Sequence, residues 1–184
     1  MSGPGPRRVM VIGCGGSGKT TLSRALAQRT GLPLVHLDAM YWRPGWTPTP
    51  ADEWRAKVAR LAAEPRWILD GNYGGTLDLR LARADCVVFL DVGAVRCLSR
   101  VIARRVRHRG RARPSLAPGC PDRITLPFAW WILTYRRRRR PGIVARLAAL
   151  GPETAVHVVA TRADARRLLD GFGEGVSNGR EEHA

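Results

Sequence analysis

Lysine is nearly absent from this chain: of 31 basic residues only two, Lys19 and Lys57, are lysines, and the rest are arginine. Acidic residues are also few, 15 in 184, which leaves a net charge of +16. That balance favours anionic partners: nucleotides, nucleic acid or an anionic membrane surface. A composition biased toward arginine, alanine and glycine would give the same excess without any such partner. Cysteine is sparse and scattered. Cys14, Cys86, Cys97 and Cys120 show neither metal-ligand spacing nor a disulfide framework, and unclustered thiols fit a reducing, cytoplasmic setting. Long apolar runs are missing. The longest, ITLPFAWWILTY from Ile124 to Tyr135, is too short to span a bilayer and contains Pro127, so no transmembrane segment is expected. The start, MSGPGPRRVMVIG, lacks a secretory apolar stretch. No internal repeat and no helix-turn-helix, zinc or other nucleic-acid reader motif is visible.

What is present suits a globular fold: 45% hydrophobic and 25% charged residues, in a length that predicts one domain over 1–170 and a flexible tail over 171–184. Five short apolar runs read as strands: Arg8–Ile12, Leu32–Asp38, the segment RWILD ending at Asp70, Cys86–Asp91, and TAVHVVAT. Helical patterns separate them. They cover Lys19–Thr30, a helix beginning near Thr49 with a Thr49/Asp52 capping box, Leu77–Ala84, Ala94–Arg109, about 127–140, Ile143–Leu150 and 163–170. On the long helix the apolar stripe is Val95, Leu98, Ile102 and Val106. Gly110–Pro121 is loop by composition. Strands alternating with helices predict a parallel sheet covered on both faces, with ligands at the carboxyl ends of its strands. Asp38, Asp70 and Asp91 stand at three such ends and a glycine-rich loop at a fourth.

That loop, GCGGSGKT from Gly13 to Thr20, fits the P-loop pattern G-x-x-x-x-G-K-[ST] between a strand and a helix. The spacing predicts a phosphate cradle made of Gly13, Cys14, Gly15, Gly16, Ser17 and Gly18, continued by Lys19, Thr20 and Thr21 at the helix start. Lys19 is the compact cation for the β- and γ-phosphates, and Thr20 the hydroxyl ligand for Mg²⁺. Cys14, inside this positive field, is expected to have a lowered pKa. Asp38, Asp70 and Asp91 are each candidates to hold Mg²⁺ or to accept a proton from an attacking hydroxyl, and each could instead cap a helix or a turn. Arg100, Arg104 and Arg107 share one helical face, with Arg105 and Arg109 beside them, and suit a transferring phosphoryl group. Arg136–Arg140 is a run of five that is solvated or reaches a phosphate. Tyr41, Trp42 and Trp46 stack on a flat acceptor or anchor their own loop. Phe128, Trp130 and Trp131 beside the arginine run admit contact with an anionic membrane surface. His36 reads as a packing residue, and His108 and His157 have no evident partner.

Taken together these residues resemble the adenylate-kinase-like branch of the P-loop kinases over most of residues 8–170. The P-loop, the segment LDGNYGGTLDLRLARAD and the helix SRVIARRVRHRGR carry that likeness. HLDAMYWRPGW, DGNY and RARPSLAPGCP further resemble hallmarks of the bacterial DNA topology modulation proteins. The resemblance implies a three-layer αβα P-loop fold with a five-stranded parallel sheet and a helical lid over about 110–140. It implies ATP and Mg²⁺ as cofactors and γ-phosphoryl transfer to a small acceptor, a nucleotide or nucleoside among the options. Lys19, Asp38, Asp70, Arg100 and Arg104 would be the catalytic set, with Arg100 on the ATP base and Arg104 on phosphate. The family name points to the alternative, an ATP-binding regulator associated with nucleic acid. Adenylate kinases place arginines three residues after the second-strand Asp and soon after DGF; Tyr41 and the pair Gly74–Gly75 stand there in this chain. The donor side matches that family and the acceptor side departs from it.

Overall fold

The computed structural model describes residues 5–107, 116–120 and 123–172. Strand β1 (Arg8–Gly13) runs into helix α1 (Lys19–Thr30). β2 (Leu34–His36) is followed at once by a short helix, α2 (Leu37–Tyr41), and by a small antiparallel hairpin, β3 (Trp42–Arg43) and β4 (Thr47–Pro48). Then come α3 (Ala51–Ala63), β5 (Trp67–Asp70), α4 (Leu77–Leu81), β6 (Cys86–Leu90), α5 (Ala94–Arg107), α6 (Leu126–Arg138), α7 (Arg140–Ala148), β7 (Ala155–Val159) and α8 (Arg162–Gly171).

The five longer-range strands form one parallel sheet in the order β2-β5-β1-β6-β7. β1 lies at its centre because its side chains serve both faces. Val9 and Val11 join Leu22 and Leu26 of α1 and Val101 of α5, while Met10 and Ile12 join Trp54 and Val58 of α3 and Leu77 of α4. All four β1 side chains are fully buried. This is the expected three-layer αβα arrangement. β5 pairs on one side of β1 and β6 on the other, so a crevice opens where the chain leaves β1, at Gly13.

Several local expectations change. β2 stops at His36 because its only ladder partner, β5, ends opposite it at Asp70; Asp38 therefore sits in the first turn of α2 and not at a strand end. No Thr49 capping box forms. Thr49 Oγ1 donates to the Tyr41 carbonyl, and Pro50 occupies the N-cap of α3. A capping box does form at Thr161 and Asp164, before α8. Of the apolar stripe expected on α5, Leu98 packs on the core, but Val95 is 79% and Val106 69% exposed, and the helix fully buries Cys97 and Val101. β7 is less covered than a buried parallel strand, since four of its five residues are exposed. The described part of the expected lid, from Thr125 onward, is α6 packed on α5 and α7. Arg109, His108, most of Gly110–Pro121 and the tail from residue 173 lie outside the described residues. Among the described residues, no helix is long and apolar enough to cross a membrane.

Candidate functional site

The loop from Gly13 to Thr20 turns because its glycines take backbone angles other residues avoid. Gly16 (φ 81°) and Gly18 (φ 106°) are left-handed, and α1 starts at Lys19, directly after Gly18. The free N–H groups of the first helical turn thus face the loop mouth. Gly16 is doubly constrained, because α5 lies against it: an added Cβ would stand 2.2 Å from the Cys97 carbonyl oxygen. Lys19 Nζ donates to the carbonyls of Gly13 (2.9 Å) and Cys14 (3.0 Å), which holds the ammonium over the loop. The Gly13 N–H is bound by Asn72 Oδ1 at 2.8 Å.

A cleft of about 640 Å³ opens beside this loop. Gly15, Gly16, Gly18, Lys19, Thr20 and Thr21 form its floor. Gly13, Cys14 and Ser17 belong to the same loop but do not line the cleft; Ser17 and Cys14 are buried behind it.

The three candidate aspartates part company. Asp70, 5% exposed, lines the cleft; its Oδ2 accepts from Thr20 Oγ1 at 3.3 Å and lies 2.8 Å from His36 Nδ1. His36, read from sequence as packing, is therefore the orienting neighbour of Asp70. Register explains it, since His36 stands directly opposite Asp70 in the β2–β5 ladder. Asp38 lines the same cleft from α2, exposed, with Oδ1 accepting from the Tyr73 hydroxyl at 2.6 Å. Burial is the first cause that pushes the Tyr73 phenol up, the Asp38 carboxylate adds to it, and the phenol remains a donor. Asp91 is not brought into the cleft. Arg140 grips its Oδ2 through Nε and Nη2, both at 2.8 Å, and Arg136 stands 3.9 Å from Oδ1. Two members of the arginine run thus tie α6 and α7 to the end of β6.

Arg100 and Arg104 of α5 both line the cleft. Arg100 Nη1 donates to the Ser17 carbonyl at 2.9 Å, which fixes a cation beside the loop. Above the loop, Phe128 and Trp131 of α6 stack with centroids 5.9 Å apart and planes 12° apart. A Cβ on Gly15 would come within 2.9 Å of the Phe128 ring, so these aromatics cover the loop and do not face outward as a membrane contact requires. Trp130, one residue away, is 59% exposed. The far wall holds Trp42 and Trp46, packed edge to face at 5.3 Å, with the Arg123 guanidinium 5.2 Å from the Trp46 ring. Tyr41 instead anchors the segment, packing on Trp42, Trp54 and Tyr73.

Sequence reasoning passed over Arg80 altogether. It is fully buried in α4, and its guanidinium donates to the carbonyls of Thr76, Gly71, Asn72 and Tyr73. Burial pulls it down to about 10, which still leaves it charged at neutral pH. One buried cation thus organises the whole DGNY turn, which carries Asp70, Asn72 and Tyr73 into place. A charged residue amid the apolar positions Leu77 and Leu81 was the available signal. The expectation for Cys14 reverses as well. Its thiol is pushed up, by a hydrogen bond to Cys97 first and by burial second, against the pull of Lys19.

No protein-family model and no curated protein matches the sequence. Solved structures do match. Shikimate kinase from Acinetobacter baumannii, in complex with shikimate, superposes with a TM-score of 0.58 at 17% identity over 92% of each chain. Shikimate kinase from Bacteroides thetaiotaomicron gives 0.55 at 15% identity, covering 92% of this chain and 98% of that one. Both neighbours are shikimate kinases, which supports neither the expected likeness to DNA topology modulation proteins nor a nucleic-acid partner. The parallel five-stranded sheet, the loop leaving its central strand and the helices on both faces are those of the P-loop kinase fold that these shikimate kinases share.

Proposed function

We propose that this chain is a Mg·ATP-dependent phosphotransferase that moves the γ-phosphoryl group to a hydroxyl of a small acceptor. The observation that carries the reading is the 3.3 Å contact between Thr20 Oγ1 and Asp70 Oδ2. It joins the hydroxyl that follows the loop lysine to a buried strand-end carboxylate, the pairing with which P-loop enzymes hold Mg²⁺. The donors there are oxygens, which suits that ion. When bound, ATP supplies the phosphoryl group and Mg²⁺ the charge that screens it.

The chain's own residues divide the remaining work. The loop amides and Lys19 bind the β- and γ-phosphates. Arg100 and Arg104, on the same side of the cleft, offset the charge that spreads over the transferring group. Asp38 accepts the proton of the attacking hydroxyl, and Tyr73 fixes the rotamer in which it does so. His36 does the same for Asp70. Phe128 and Trp131 exclude water from the phosphate seat, which favours transfer over hydrolysis. Trp42, Trp46 and Arg123 face the acceptor's side of the cleft and favour a ring with an anionic substituent.

The test is transfer from γ-labelled Mg·ATP to a panel of nucleosides, nucleoside monophosphates, hydroxylated ring carboxylic acids and sugars, with Lys19→Ala as control. The reading expects one acceptor class to be labelled, and the label to vanish in the control. A panel in which nothing exceeds plain ATP hydrolysis contradicts it.

A further inference from the structure

Helix α6 is apolar on two opposite faces. Phe128, Trp131, Ile132 and Tyr135 turn inward, onto the core and the phosphate loop. Leu126, Trp130 and Leu133 stand on the opposite side, at i, i+4 and i+7 in one line, and are 88%, 59% and 45% exposed. Arg137 continues that line and Arg138 follows beside it; both are exposed. From Leu126 to Arg137 the line is about 16 Å long. The outward face of a helix is ordinarily polar, so three large apolar side chains there call for a partner.

The chain's positive charge gathers in the same region. Residues 92–152 hold 15 arginines and one acid, Asp122, whereas the rest of the chain holds 16 basic and 14 acidic residues. Of the net charge of +16, +14 therefore comes from this segment. It contains α5, α6 and α7, none of which carries an acidic residue. Asp91, just before it, takes up Arg136 and Arg140 and leaves the outer arginines of α6 to solvent. Apolar exposure follows the charge. Of the nine large hydrophobic side chains left exposed among the described residues, seven stand on these three helices; the other two are Val156 and Val158 of β7.

The two properties together select the partner. Nucleic acid would satisfy the arginines, but a phosphate backbone offers nothing apolar to Leu126 and Leu133. A second copy would cover the apolar line, but it would bring two acid-free, arginine-rich faces together. Anionic lipid meets both demands, with acyl chains for the apolar line and headgroup phosphates for the guanidinium groups, and an indole suits the boundary between them. We propose that the outer line of α6 docks on an anionic lipid surface, with Leu126, Trp130 and Leu133 entering the headgroup–acyl boundary and Arg137 and Arg138 pairing with lipid phosphates. The contact is peripheral and reversible, because three side chains bury little area and the arginines supply the remaining attraction. It is independent of the phosphoryl-transfer reading, since none of these five residues lines the cleft.

The experiment sediments the full-length protein with vesicles of phosphatidylcholine alone and with vesicles of phosphatidylcholine and phosphatidylglycerol in equal amounts. The protein should pellet with the mixture, stay in solution with phosphatidylcholine alone, and be released in part from the mixture by added salt. Trp130→Ser should weaken binding by about tenfold. Arg137→Gln combined with Arg138→Gln should weaken it by about fivefold for each charge removed. Arg60→Gln combined with Arg66→Gln removes the same charge from α3 and the segment after it, on the opposite face of the sheet from α6, and should leave binding unchanged. In the wild type, brominated acyl chains should quench part of the tryptophan fluorescence. Trp130→Phe, which keeps an aromatic ring at the position, should abolish that quenching, so the test does not depend on how a polar substitution is tolerated.

Equal binding to both kinds of vesicle, binding untouched by Trp130→Ser and by the Arg137 and Arg138 changes, or an equal loss in the Arg60 and Arg66 control overturns the proposal. So does a protein that ignores the vesicles. If it then binds a DNA duplex with steep salt dependence, the arginines serve nucleic acid; if it forms a dimer that Trp130→Ser dissolves, the face joins two copies of this chain.

Discussion

The Tyr73 hydroxyl donates to Asp38 Oδ1 at 2.6 Å, across the cleft mouth between the DGNY turn and α2. The Tyr73 ring is held by Tyr41 and Trp54, with centroids 4.8 and 4.9 Å away. Replacing Tyr73 by Phe keeps that packing and removes only the hydrogen bond. The lost bond is worth about 1 kcal/mol. If Asp38 is the proton acceptor, Tyr73→Phe should lower kcat for phosphoryl transfer by about fivefold to tenfold, with nucleotide affinity and thermal midpoint nearly unchanged. Steady-state kinetics beside a melting curve separates the two. A variant with native kcat removes the positioning role.

The five parallel strands and the loop leaving the first of them were legible in the sequence because both rest on local signals: apolar runs of strand length, and the fixed spacing of GCGGSGKT. What failed depended on contacts between distant segments. On α5 the expected stripe is split: Leu98 packs on the core while Val95, Ile102 and Val106 are exposed, and the buried residues are Cys97 and Val101, which lie against Gly16. The end of β2 is set by where β5 ends, and that no residue near Asp38 announces. Choosing among three strand-end aspartates also needed the fold. Asp91 looks like the others in sequence, and the arginine that claims it, Arg140, is 49 positions away. Arg80 was missed for a different reason: its partners are near in sequence, but they are backbone carbonyls and carry no side-chain signature, so the charge between the apolar positions Leu77 and Leu81 was the one sign of it.

Gly16 is predicted to be the least replaceable residue of the loop. Its φ of 81° disfavours any side chain, and an added Cβ would lie 2.2 Å from the Cys97 carbonyl oxygen. Gly16→Ala should cost about 3 kcal/mol from strain and overpacking together. Gly75, with nothing within 4 Å of an added Cβ, should accept alanine within about 0.5 kcal/mol. Chemical denaturation of the two variants checks the contrast. Equal stability of both contradicts the close approach of α5 to the loop.

Arg80→Met is predicted to damage the site from behind. It preserves most of the buried volume but leaves the carbonyls of Gly71, Asn72, Tyr73 and Thr76 without their guanidinium. The Tyr73 carbonyl keeps the Thr76 N–H and hydroxyl, but loss of the guanidinium from the others should lower stability by about 3 kcal/mol, and the loosened turn should release both Asn72 from Gly13 and Tyr73 from Asp38. Hydrogen exchange at the Gly13 amide, compared between wild type and variant, reads the first of these directly. Unchanged protection there would mean that Arg80 does not organise the turn.

The central claim is that Thr20 and Asp70 form the Mg²⁺-holding corner of a nucleotide site on this loop. The measurement that bears on it most directly is calorimetric titration of ATP into the protein with and without Mg²⁺, repeated with Asp70→Asn. Asn keeps the shape of the side chain and removes the charge. The account predicts that Mg²⁺ tightens ATP binding to the wild type and that Asp70→Asn abolishes most of that enhancement while weaker, metal-free binding through Lys19 persists. ATP that fails to bind the wild type, or an Asp70→Asn protein with the full Mg²⁺ enhancement, would contradict it.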